Sequence, residues 1–111
     1  MGRTAAGALA TLFVATPLIA VEDVDGSLEL LHNDDRSKLL RKLELSISDS
    51  DSSKFRSIRN SDGHVCGFIN SKNGMGMYTE FSEFMFDPSS GMLFSSMEGE
   101  VSRQIIRRFC P

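Results

Sequence analysis

The two cysteines of this chain, Cys66 and Cys110, stand 44 positions apart, and no other sulfur can form a disulfide. If they pair, only one pairing exists. Closing a loop of that length stabilises a folded domain by roughly 4 kcal/mol in the chain-entropy model, less any strain. A chain of 111 residues with 41% hydrophobic residues supports one small domain. The core of so small a domain is marginal, so a staple of that size is comparable to its whole expected stability. The pairing depends on compartment, because disulfides persist in oxidising surroundings. The rival state is two unlinked thiols, one in a strand and one at a frayed terminus.

The first twenty residues bear on the compartment. Arg3 is their only charge, and the stretch from Ala5 to Ala20 is apolar, broken by small residues, Thr11, Thr16 and Pro17. A basic start, an apolar middle and a small-residue end are the layout of an export signal. Cleavage after Ala20 leaves a mature chain beginning Val21-Glu22-Asp23, although Leu18 stands where a smaller residue is usual. A retained membrane anchor is the rival reading, but about 16 apolar residues is short for a span of roughly 20. A buried core helix is the third. The expectation is an exported protein, periplasmic or secreted, with Cys66 bonded to Cys110 and no membrane span after cleavage.

Beyond the signal, residues 21–33 read as an acidic linker and 34–111 as one domain. In "NDDRSKLLRKLELSI" Asn33 or Asp34 suits a helix cap, and Leu39, Leu40, Leu43 and Ile47 recur at helical spacing. "SDSDSSKF" ends that helix, because serine and aspartate side chains compete for backbone hydrogen bonds. From Phe55 the period changes. Phe55–Asn60 is a strand followed by the turn Ser61-Asp62-Gly63, and His64–Asn70 is a second strand. Met77–Phe86 is a third, and after the turn from Asp87 to Gly91, Met92–Met97 is a fourth. "EGEVSRQIIRRFCP" is helical again, with Val101, Ile105 and Phe109 as its apolar stripe and Ile106 beside it. The predicted fold is α+β: a small antiparallel sheet of three to four strands flanked by an N-terminal and a C-terminal helix, both on one sheet face.

Chemistry-bearing residues are sparse. The net charge is −3 with basic residues scattered among acids, which excludes the clustered cations of a nucleic-acid footprint. His32 with Asp34 and Asp35 lacks the ligand count of a closed metal site, so no metal or cofactor is expected. His64 and Cys66 share a strand face, but a nucleophilic pair needs the sulfur free. Glu80, Glu83 and Asp87 have no spacing that singles out an acid/base pair. "GMG" at Gly74–Gly76 lacks the phosphate-loop signature, whereas Asn73-Gly74 suits a tight turn. The many Met and Phe residues after Gly74 exceed what one sheet face buries, so some should be exposed; core packing is the first reading of this group, and an adaptable Met-rich partner surface is the second.

The stretch "DSDSSKFRSIR", followed by "VCGFINSKNGMGMYTEFSEFMF" and a cysteine ending the last helix, resembles a group of small exported bacterial proteins. Their pattern is Asp-x-Asp-Ser-x-x-Phe-Arg and then Val-Cys-Gly-x-x-Asn-x-Lys-Asn-x-x-Gly-x-Tyr-x-x-Phe. The matching residues are Asp49, Asp51, Ser52, Phe55, Arg56, Val65, Cys66, Gly67, Asn70, Lys72, Asn73, Gly76, Tyr78, Phe81, Phe84 and Cys110. The resemblance spans Leu45 to Cys110 and supports the cysteine pairing, but the group has no established activity to transfer. Phe68 stands where an acid is common in the group, and Met77 and Glu80 where glycines are.

The expected function is that of a small exported, non-enzymatic interaction or accessory protein with a protein partner in the cell envelope. Asn70, Lys72 and Asn73 would supply hydrogen bonds, and Tyr78 and Phe81 would be the anchors. The alternative is an envelope hydrolase or hydrolase inhibitor, which requires a carboxylate or His64 in a cleft with a shifted pKa.

Overall fold

The computed structural model describes residues 21–46, 53–72 and 75–111. Residues 1–20, Ile47 and Asn73 lie outside them. The strands are β1 (Glu22–Asp23), β2 (Lys54–Ser61), β3 (His64–Asn70), β4 (Ser82–Asp87) and β5 (Met92–Ser95). The helices are α1 (Asn33–Ser46) and α2 (Glu100–Phe109), with single 3-10 turns at Leu28–Leu30 and Ser96–Glu98. Strands β2 to β5 form an antiparallel meander in chain order, and β1 joins the outer side of β2 in parallel through Glu22–Lys54 and Asp23–Phe55. No helix of the described residues is long and apolar enough to cross a membrane.

Five strands are therefore described, one more than the expected three to four. The addition comes from the stretch read as an acidic linker, and two residues are too few to show a period. Its acids have specific tasks. The Asp23 carboxylate accepts the Leu28 and Glu29 N–H groups at 3.2 and 3.1 Å, which starts the 3-10 turn and buries Leu28. Asp25 accepts the Ser57 N–H at 2.9 Å, and the Ser27 hydroxyl accepts the Ile58 N–H at 2.7 Å. Those two donors belong to a bulge in β2, where the register with β3 shifts between Arg56 and Arg59 and Ser57 takes a φ of 55°. A bulge leaves N–H groups out of the ladder, and this segment receives them. The Ser27 hydroxyl and then the Ser57 N–H hold the Asp25 carboxyl below the usual aspartate range.

Turn chemistry sets the meander. Asp62 and Gly63 have φ of 51° and 88°, the pair of positive values that a two-residue hairpin turn requires. At the β4–β5 turn the Asp87 carboxylate accepts the Ser89 and Ser90 hydroxyls at 2.8 and 2.9 Å, and the Gly91 N–H reaches the Asp87 carbonyl at 2.7 Å. The Ser89 hydroxyl is the main cause that lowers the Asp87 pKa. The third run is shorter than expected. Its strand starts at Ser82, and Tyr78 precedes it in an isolated bridge to Lys72, one residue out of step with the Ile69–Ser82 ladder.

Both helices were expected on one sheet face, and instead they take opposite faces. Phe55, Ile58, Val65, Ile69, Phe84 and Phe86 face α1 and pack with its Leu39 and Leu43. Cys66 and Met85 face the other way, against Ile106 and Cys110. Strand alternation compels this: Cys66 is out of phase with Val65 and Ile69, so a helix tied to it lies on the face they do not use. The Sγ atoms of Cys66 and Cys110 are 1.95 Å apart, at bonding distance. The same tie sets the rotation of α2. Its buried side is Ile106 and Cys110, one turn apart, while Val101, expected in the core stripe, is 72% exposed.

At the start of α1, His32 Nδ1 accepts the Asp34 N–H at 3.3 Å, so His32 takes the capping role expected of Asn33 or Asp34. Lys38 and Asp34, one turn apart on its solvent side, form an ion pair at 3.4 Å.

Candidate functional site

On the α2 face, β3 presents His64, Cys66, Phe68 and Asn70 at alternate positions. The C-terminal end of α2 seals the first two. Cys66 is bonded to Cys110, and the Phe109 ring lies 4.7 Å from the His64 ring at an interplanar angle of 30°. Phe68 is covered by the Arg56 side chain of β2, and Asn70 is buried. The register puts Arg56 opposite Phe68 and Lys54 opposite Asn70.

The cover consists of cations laid on rings. The Arg56 guanidinium carbon is 4.5 Å from the Phe68 ring centroid and 4.7 Å from that of Phe81. Lys54 Nζ stands 4.1 Å from the Tyr78 centroid, and Lys72 Nζ, from the β3–β4 connection, stands 5.7 Å from it. Each ring presents negative π density to a cation, worth about 0.5–1 kcal/mol per contact at a partly exposed site. Among the described residues the ion pairs are Lys38–Asp34, Arg103–Glu100 and Arg107–Glu100, so none involves Lys54, Arg56 or Lys72. Glu83 lies across β3 from Arg56, opposite Phe68 in the register. All three cations and all three rings are half-buried.

Of the residues expected to make contacts, Lys72, Tyr78 and Phe81 come together in this cluster. Asn70 stands opposite Lys54 in the register and is only 8% exposed, with its side-chain oxygen lacking a hydrogen-bond partner among the described residues. It is a buried residue rather than an outward one. Sequence reasoning missed Lys54, Arg56 and Phe68, and a signal for them existed. The two-residue Asp62-Gly63 turn brings the start of β2 against the end of β3, so alternate residues of "KFR" and "FIN" meet on one face. The bulge moves that register by one residue, which no local pattern announces.

The remaining candidates resolve into structural parts. With its sulfur bonded to Cys110, Cys66 offers His64 no thiol, so the nucleophilic pair is absent. His64 Nδ1 is buried without a hydrogen-bond partner among the described residues. Asp87 serves its turn, and no group of three or more His, Cys, Asp or Glu that could hold a metal occurs among the described residues. Glu100 is engaged by Arg107 and Arg103 at 2.9 and 3.0 Å, and these hold its carboxyl below the usual glutamate range.

A search against protein-family models, curated proteins and solved structures finds no match for this chain.

Proposed function

We propose that this chain is a small exported, non-enzymatic interaction protein of the bacterial envelope, and that the cation–aromatic half of its α2 face is the contact surface. One observation carries the reading: Lys54, Arg56 and Lys72 stand on the rings of Phe68, Tyr78 and Phe81 on one half-open face, with no ion pair to any of the three cations among the described residues. Cations held on rings keep their charge while shedding part of their water, which lowers the cost of meeting an acidic partner. Rigid aromatics among a few charges are also the composition in which contact energy concentrates. The resemblance to exported bacterial proteins and the bonded cysteines support the envelope as the location.

The test is capture from envelope extracts with wild type, an Arg56→Gln/Lys72→Gln variant and a Tyr78→Ala variant, each first shown to melt cooperatively. The expected result is a partner retained by wild type and lost by both variants. An unchanged partner list would remove this face from consideration.

A further inference from the structure

The end of the sheet where the chain enters carries exposed methionines. Strand β1 begins at Glu22, so only Val21 separates it from the apolar stretch that ends at Ala20. Val21 packs against the core, and the Glu22 N–H is bonded to the Ser53 carbonyl at 3.0 Å. Val21, the residue to which the apolar stretch is covalently joined, is therefore itself at this sheet end. The parallel pairing of Glu22 with Lys54 and the antiparallel pairing of Lys54 with Asn70 put the β3–β4 connection at the same end. That connection carries Met75 at 81% and Met77 at 58% exposure. Met97, 73% exposed, borders the same cleft as Lys72 and Glu80 and so belongs to this end as well.

We propose that this end of the domain rests on a lipid bilayer while Ala5–Ala20 is attached, with Met75, Met77 and Met97 inserted among the headgroups. Whatever occupies this end is held at the interface for as long as the apolar stretch is in the membrane, because Val21 leaves no spacer. Unbranched thioether side chains adapt to an irregular apolar boundary. Lys54 and Lys72, whose ammonium groups stand on the Tyr78 ring, lie at the rim of the same end. Glu22 and Glu80 are also exposed there, so the charges offset and apolar insertion is what holds the surface. Contact therefore does not require anionic lipid.

The chain has no tryptophan, so single tryptophans report position without background. Full-length protein carrying Met75→Trp, Met77→Trp or Met97→Trp is reconstituted with phosphatidylcholine vesicles containing brominated acyl chains. Leu30→Trp and Met92→Trp are the controls, both at exposed positions towards the opposite end of the sheet. The expected result is a blue-shifted, quenched emission at 75, 77 and 97, with neither effect at 30 or 92. Equal quenching at both ends, unquenched emission at 75, 77 and 97 with the protein bound, or no association with the vesicles would each overturn the proposal.

Discussion

Cys66 and Phe68 are two residues apart on β3 and share a face, yet the two halves of that face are closed by different means. The Cys66 half is sealed by a helix, a covalent bond and the apolar contacts of Met85, Ile106 and Phe94. The Phe68 half is covered by Arg56, Lys54 and Lys72 on aromatic rings. A disulfide closing a loop of this length is worth roughly 4 kcal/mol, and a partly exposed cation–π contact about 0.5–1. Stability is thus concentrated in one half, and the other is the half proposed to meet a partner.

Removing the seal should have the largest effect. Cys110→Ser should lower the unfolding free energy by about 2–5 kcal/mol in urea denaturation, with amide protection in α2 falling more than in β3. Equal loss of protection across both elements would mean that the two halves are not separately held. Next is the α1 side of the same strand. At Gly67 an added methyl would clash with the Ile58 side chain and lie 3.2 Å from the Ile58 Cα and 3.3 Å from the Phe84 ring. Gly67→Ala should therefore cost about 1–3 kcal/mol by the same measurement. A neutral result would show the sheet yielding where close packing is inferred.

The open half should respond in the opposite sense. Arg56→Gln removes two cation–ring contacts and should change stability by no more than about 2 kcal/mol while abolishing partner capture; a larger loss of stability with capture intact would reverse the assignment of the two halves. The smallest effect is acid sensitivity at the β2 bulge. Asp25 has a lowered pKa in the folded chain, so its contribution is fully present above the ordinary aspartate value of about 3.9 and is lost as pH falls through the lower folded value. Asp25→Asn should be less stable than wild type at pH 7, and the difference should shrink as both are acidified below about pH 4. A difference that grows on acidification would contradict the assigned hydrogen bonds.

Much of this architecture was legible. Asp62-Gly63 and the Asp87-to-Gly91 stretch announced their turns through residues that tolerate positive φ or bond their own backbone, and the meander followed. The helix faces were misjudged although the information was present: Cys66 lies between Val65 and Gly67, so a bond to it already selects the opposite face, and Cys110 already aligns Ile106 with the sheet. Strand β1 and the β2 bulge were not legible, because each depends on partners more than 30 residues away. For the site, Lys72, Tyr78 and Phe81 were visible as a turn beside aromatics. Lys54 and Arg56 belong to it only through cross-strand register.

The Phe68 half is proposed to meet a partner, and the Cys66 half is not. Photocrosslinking tests this most directly, with a benzophenone amino acid placed at Phe81 in one variant and at Gln104, on the outer side of α2, in another, both expressed in cells that export the protein. A discrete adduct is expected from position 81 and none from position 104. An adduct from 104 alone, or from neither position, would contradict it.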